Sequence, residues 1–312
     1  MMLFALQEHF QEHAATRVAQ EFNAGETIIE HVSNSGLDHP LIPLWKLGGI
    51  DFSVTKHVLM LWLVSTIIFV GVSWTVRRYL KQDRLVPSGF TSALELLVEF
   101  IRDSVVLPNV GKRWVNVWTP LILTLFVFIF SANAIGIIPM FEVLGLLDRF
   151  VLHTAAGSFV GRIIHGGATA TGNFNVTGGL AVVTFGAIIV AGTRAHGFVA
   201  HWKNIVPHGL HWSIYILLIP IEVMGMFVKP FALTVRLAAN MTGGHIAILA
   251  ILSIVFIFTE QFGHAAGFGA GALSVPLAAA ISGLEIIVVV VQAYVFTFLT
   301  AVFIGMAIHV HH

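Results

Sequence analysis

WSIYILLIPIEVMGMFVKPFALTVRLAANMTGGHIAILAILSIVFIFTEQF, residues 212–262, is apolar almost throughout yet carries Arg236 near its centre. A guanidinium stays charged in any protein environment. Holding it at mid-membrane costs from ~2.5 kcal/mol on insertion scales to ~10 kcal/mol in simulations, so such a charge persists where it faces a protein partner or a water-filled path. As a single helix rising ~1.5 Å per residue the stretch would reach ~75 Å, more than twice the ~30 Å hydrocarbon layer. Either Pro220 and Pro230 divide it into a lead-in segment and a span, or one long helix lies steeply tilted in the membrane.

The rest of the chain fits the same solvent. Its 312 residues are 57% hydrophobic and 10% charged, with a mean hydropathy of +0.89, whereas a soluble domain carries about 25% charged residues. This composition predicts an integral membrane protein. A formal net charge of +0 offers no bulk attraction to nucleic acid, and the lack of cysteine removes disulfides and thiolate metal ligands.

Residues 1–56 hold seven acidic and three basic residues, with Pro40 and Pro43 breaking any long helix. They read as a polar, partly helical tail without a cleavable signal. Residues 57–312 read as the membrane domain, with spans at about 57–76, 115–138, 176–193, 213–262 and 276–307. Residues 93–107 place Glu95, Glu99 and Asp103 at four-residue steps opposite an apolar face, the pattern of an interfacial helix. The Gly-rich segment between the second and third spans reads as a surface loop, and GHAAGFGAGA, residues 263–272, as a turn outside the membrane. The expected fold is therefore all-α: about five membrane-embedded helices plus an interfacial helix, the last two long, tilted and antiparallel.

Seven basic residues lie between Arg77 and Arg113 but two, Arg149 and Arg162, in the loop between spans two and three. This bias puts the first segment in the cytoplasm and the amino terminus outside, with the carboxyl terminus cytoplasmic. The histidines at 201, 208, 211, 309, 311 and 312 are expected at the wet membrane face.

Polar residues in the last two helices are ordered. Glu222, Lys229 and Arg236 are seven apart, a spacing that returns to within ~20° of the same direction. Asn240 extends that stripe. On the last helix Ser282, Glu285 and Gln292 share a face at spacings of three and seven. In an antiparallel hairpin, facing residues are equidistant from the turn. Arg236 and Gln292 are equidistant from His264, and His245 and Glu285 from Ala265, so one register predicts both pairs at two depths. The imidazole and the carboxylate can gain and lose protons near neutrality, whereas the arginine cannot relay one. A fixed cation beside a titratable route repels a hopping positive charge and eases ionisation of a carboxylate brought near it.

At these residues the chain resembles subunit a of the F-type ATP synthases. KPFALTVRLAANMTGGH (229–245) carries that family's arginine in its usual setting, and LEIIVVVVQAYVFTFL (284–299) resembles its last-helix motif. SANAIGIIP (131–139) and NFNVTGGLAVVTF (173–185) are similar to its earlier spans. The resemblance implies a stationary proton-channel subunit beside a rotating c-ring, with two offset half-channels kept apart by Arg236. It gives Asn240 and Gln292 as polar neighbours of that arginine and His245 and Glu285 as lining of the outer half-channel. Glu222, Lys229 and Ser282 become possible channel-lining residues. It further implies c-ring and peripheral-stalk b subunits as partners, surrounding lipid, a bacterial plasma membrane, and no cofactor, metal or catalytic residue in this chain. A glycine-rich phosphate loop ending in Lys and Ser or Thr is absent from the sequence, which places ATP chemistry elsewhere. The alternative reading is a self-contained ion-coupled secondary transporter, which would show two similar halves; no such repeat is visible.

Overall fold

The computed structural model describes residues 25, 46–47, 50–51, 53–81, 89–137, 170–203 and 211–309. Among the described residues the regular structure is helical apart from a short antiparallel pair, β1 (Lys46–Leu47) and β2 (Ile50–Asp51), in the register Lys46↔Asp51 and Leu47↔Ile50. Apart from these, helical Gly25 and residues 53–56, the expected polar tail lies outside the described residues, as does the loop expected between spans two and three. Five helices are long and apolar enough to cross a membrane among the described residues: α1 (Lys56–Leu80), α4 (Val115–Ile137), α5 (Phe174–His196), α7 (Trp212–Phe262) and α8 (His264–Ile308). This is an all-α, multi-pass membrane chain.

The expected interfacial helix is α2 (Phe90–Glu99), which continues through a π-helical segment (Phe100–Val106) into the one-turn α3 (Leu107–Val110). Glu95, Glu99 and Asp103 face outward, while Ile101, Val105, Val106 and Val110 are fully buried. A short α6 (Phe198–Lys203) follows α5. Helix α5 begins two residues before the expected position, where the Asn173 side chain accepts a hydrogen bond from the Asn175 N–H at 2.8 Å and caps it.

Two expectations about the last helices are resolved. The stretch 212–262 is one continuous helix of 51 residues with both Pro220 and Pro230 inside it. The region 263–272 is not an extended turn. Gly263 alone breaks the path, at φ +85, and His264 already opens a 45-residue helix. In hydrocarbon an unpaired backbone amide costs several kcal/mol, so helix continues wherever it can, and glycine and proline are tolerated within it.

The chain forms two compact units: a larger one, Asn34–Thr242 with Leu284–His312, and a smaller one whose described residues are mainly Gly243–Gly283. The core of the larger unit joins Trp118, Ile122, Leu125 and Ile129 of α4, Ala187 and Ala191 of α5, Leu233 and Leu237 of α7, and Ala293, Phe296, Ala301 and Ile304 of α8. Lipid tails are as apolar as leucine, so such packing depends on close approach and buried polar contacts. Both occur here. A Cβ at Gly305 would strike the Asn109 carbonyl oxygen, which shows how closely α8 lies against the end of α3. The Thr184 and Thr300 hydroxyls meet at 3.3 Å between α5 and α8.

In the smaller unit a Cβ at Gly267 would meet the Thr259 hydroxyl, and one at Gly271 would lie 3.8 Å from Val255. Both pairs are equidistant from Gly263, so the two limbs run antiparallel about that residue. The sequence placed the turn one or two residues later, a shift of ~2–3 Å along a helix.

Candidate functional site

Helix α7 sorts its side chains sharply around Arg236. Pro230, Leu233, Thr234, Leu237, Ala238 and Met241 are buried in the larger unit at the spacing of a packed helix face. Arg236 is exposed on the opposite side, with Ala232 one turn before it and Ala239 and Asn240 one turn after, all exposed. Among the described residues Arg236 makes no ion pair or hydrogen bond. Its neighbours on that stripe are short, so another backbone can come close to the guanidinium.

Lys229, two turns before Arg236, is half-buried and holds its Nζ 5.6 Å from the centre of the Phe303 ring on α8. That is a cation–π contact rather than a side chain simply reaching for water. Glu222 is half-buried one further heptad back.

On α8, Glu285 is 5% exposed and continues the inward stripe of Val289, Ala293 and Phe296 at four- and three-residue steps. Gln292 is half-buried beside that stripe. Glu285 and Gln292 thus belong to the same larger unit as Arg236 and Asn240. His245 and Ser282, both half-buried, lie in the smaller unit. No group of three His, Asp or Glu able to hold a metal ion occurs among the described residues.

Several polar positions had no assigned part in the sequence. Asn133 of α4, 1% exposed, accepts a short hydrogen bond from the Thr171 hydroxyl, itself fully buried in the 3₁₀ turn Ala170–Gly172. The carbonyl of Gly172, in the same turn, accepts from the Thr242 hydroxyl of α7 at 3.2 Å. One turn of chain therefore ties α4 to α7 six residues beyond Arg236. A lone asparagine within SANAIGI was the available signal; its threonine partner, 38 residues on, was not visible as such.

The expected wet-face histidines divide. His211 is exposed and bonds the Ser213 hydroxyl at 2.8 Å, and His309 lies 3.2 Å from the Val110 carbonyl. His201 corrects the expectation, being 7% exposed and packed where a Cβ on Gly192 would collide with its ring. Burial, and secondarily the nearby His196, lowers its pKa from the ordinary 6.5. His208, His311 and His312 lie outside the described residues.

Residues 58–305 match the family model described as ATP synthase A chain. The chain is 41% identical over 305 residues to "ATP synthase subunit a 2" of Chlorobium luteolum, covering 95% of this chain and 79% of that protein. It is 39% identical to "ATP synthase subunit a 2" of Prosthecochloris aestuarii, covering 95% and 83%. To "ATP synthase subunit a" of Anaeromyxobacter dehalogenans it is 38% identical, covering 86% and 61%.

Proposed function

This chain belongs to the ATP synthase A chain family and is a membrane-sector subunit of an ATP synthase, and from that premise we propose that it is the stationary proton channel facing a rotating ring of carboxylate-bearing c subunits. Protons enter from the outer side past His245 and Glu285, protonate a ring carboxylate, and leave to the cytoplasm after nearly one revolution through a second half-channel near Glu222. Arg236 separates the two. It repels a proton short-cutting between the half-channels and favours ionisation of the ring carboxylate arriving beside it. Asn240 and Gln292 are its polar neighbours, and Lys229 and Ser282 line the paths.

The observation that carries this reading is the exposed Arg236. A guanidinium midway along a 51-residue apolar helix, on the outward face and without an ion-pair partner among the described residues, calls for a counter-charge brought by another subunit. The small residues around it let a ring helix approach. The driving force available is ~2.3 kcal/mol per charge per 100 mV of membrane potential. ATP is made in partner subunits, peripheral-stalk b subunits hold this one still, and the amino terminus faces outward from a bacterial plasma membrane.

Arg236→Ala in the assembled enzyme tests the reading. Fluorescence-quench assays of inverted vesicles are expected to show ATP-driven proton pumping abolished while the subunit still co-purifies with the complex. Pumping at the wild-type rate would end the proposal.

A further inference from the structure

A second site lies on α1, far in sequence from the ion-path residues. An open groove of about 520 Å³ runs along this helix, within the ~300–1,000 Å³ range of small-molecule sites. Its upper part is Phe69, Val70 and Trp74, exposed by 72, 56 and 61%. Its lower part is Arg77, Arg78 and Lys81. Val70, Trp74, Arg78 and Lys81 follow one another at four-, four- and three-residue steps, so one face changes from apolar through aromatic to cationic. The Arg78 guanidinium lies 5.3 Å from the Trp74 ring centre, which fixes the seam between the two zones.

We propose that this groove is a binding site for an anionic phospholipid. From Phe69 to Lys81 the helix advances ~18 Å, close to one leaflet's ~15 Å of hydrocarbon plus the inner edge of its headgroup layer. An acyl chain lies against Phe69 and Val70, the glycerol backbone lies at Trp74, and the phosphate is held by Arg77, Arg78 and Lys81. Charge complementarity selects the occupant: three cations with no acidic residue lining the groove leave a zwitterionic headgroup's ammonium in a repulsive field, whereas a net-negative headgroup is attracted. The same cations at the end of a span also satisfy the positive-inside bias and could extend individually into water. Retention of one lipid class at a defined place separates the two situations.

The assembled ATP synthase, purified in detergent containing equal phosphatidylglycerol and phosphatidylcholine, is examined by native mass spectrometry of the released membrane sector. Wild type is expected to retain phosphatidylglycerol over phosphatidylcholine by about tenfold. Arg77→Gln with Arg78→Gln and Lys81→Gln brings the ratio near one, and Trp74→Leu, which removes no charge, lowers it severalfold. Lys112→Gln, an exposed cation outside the groove, leaves it unchanged. Equal retention by the triple variant, an equal loss in Lys112→Gln, full displacement by inorganic phosphate, or a polypeptide seated on the groove in the assembled enzyme would each overturn the proposal. None of these outcomes depends on Arg236.

Discussion

His201 shows what a single side chain's surroundings do that its neighbours in sequence do not announce. Its ring fills the space left by the missing side chain of Gly192, nine residues earlier, and is sealed from water there. A buried imidazole is favoured in its neutral form, so its folded pKa lies below the ordinary 6.5. The unfolded chain then binds the extra proton first as pH falls. The stabilising contribution is complete above pH 6.5 and is lost as pH drops toward the folded pKa. Thermal unfolding of the purified complex between pH 7.5 and 5 is expected to show midpoints falling with pH, with a smaller fall in His201→Gln; identical slopes would contradict it. Spacing alone put this histidine at the wet face because only the fold reveals which glycine it rests on. Arg236 is the opposite case. Its charge and apolar flanks single it out in the sequence, and the structure leaves it exposed on α7.

At the scale of elements, the apolar runs announced where the helices lie, and the boundaries moved for a shared reason. Helix α1 extends to Leu80, so that Arg77 and Arg78 occupy its last turn, where the carbonyl dipole favours cations. Helix α8 begins 12 residues before the expected 276, through glycines that in water would have favoured a loop. Pro220 and Pro230 likewise sit inside α7 without ending it. Turn chemistry learned from soluble proteins misreads such segments, whereas the turn position read from the hairpin symmetry lies one or two residues from Gly263. The packing of α8 on α3 could not be read in advance, as it rests on the single missing Cβ of Gly305 against a backbone carbonyl. Backbone cannot swing aside as a side chain can. Gly305→Ala is therefore expected to destabilise the subunit by about 1–3 kcal/mol, measured as a lower melting midpoint in detergent, while Gly179→Ala, with open space at its Cβ, leaves it nearly unchanged.

For the whole molecule, the family match over residues 58–305 and the outward arginine meet in the proposal that the face of α7 bearing Ala232, Arg236 and Ala239 lies against the rotor, while the face bearing Leu237 and Ala238 lies against the rest of this subunit. The larger unit already supports the second half, since Leu237 is 1% exposed and Ala238 fully buried. The first half needs the partner. The chain contains no cysteine, so a single introduced thiol reports without background. The most direct measurement is disulfide cross-linking in membranes between Ala239→Cys and a cysteine placed beside the ring carboxylate of the c subunit, with Ala238→Cys as its neighbour on the buried face. Rapid a–c cross-linking is expected from position 239 and little from 238. Cross-linking from 238 with none from 239 would contradict the proposal.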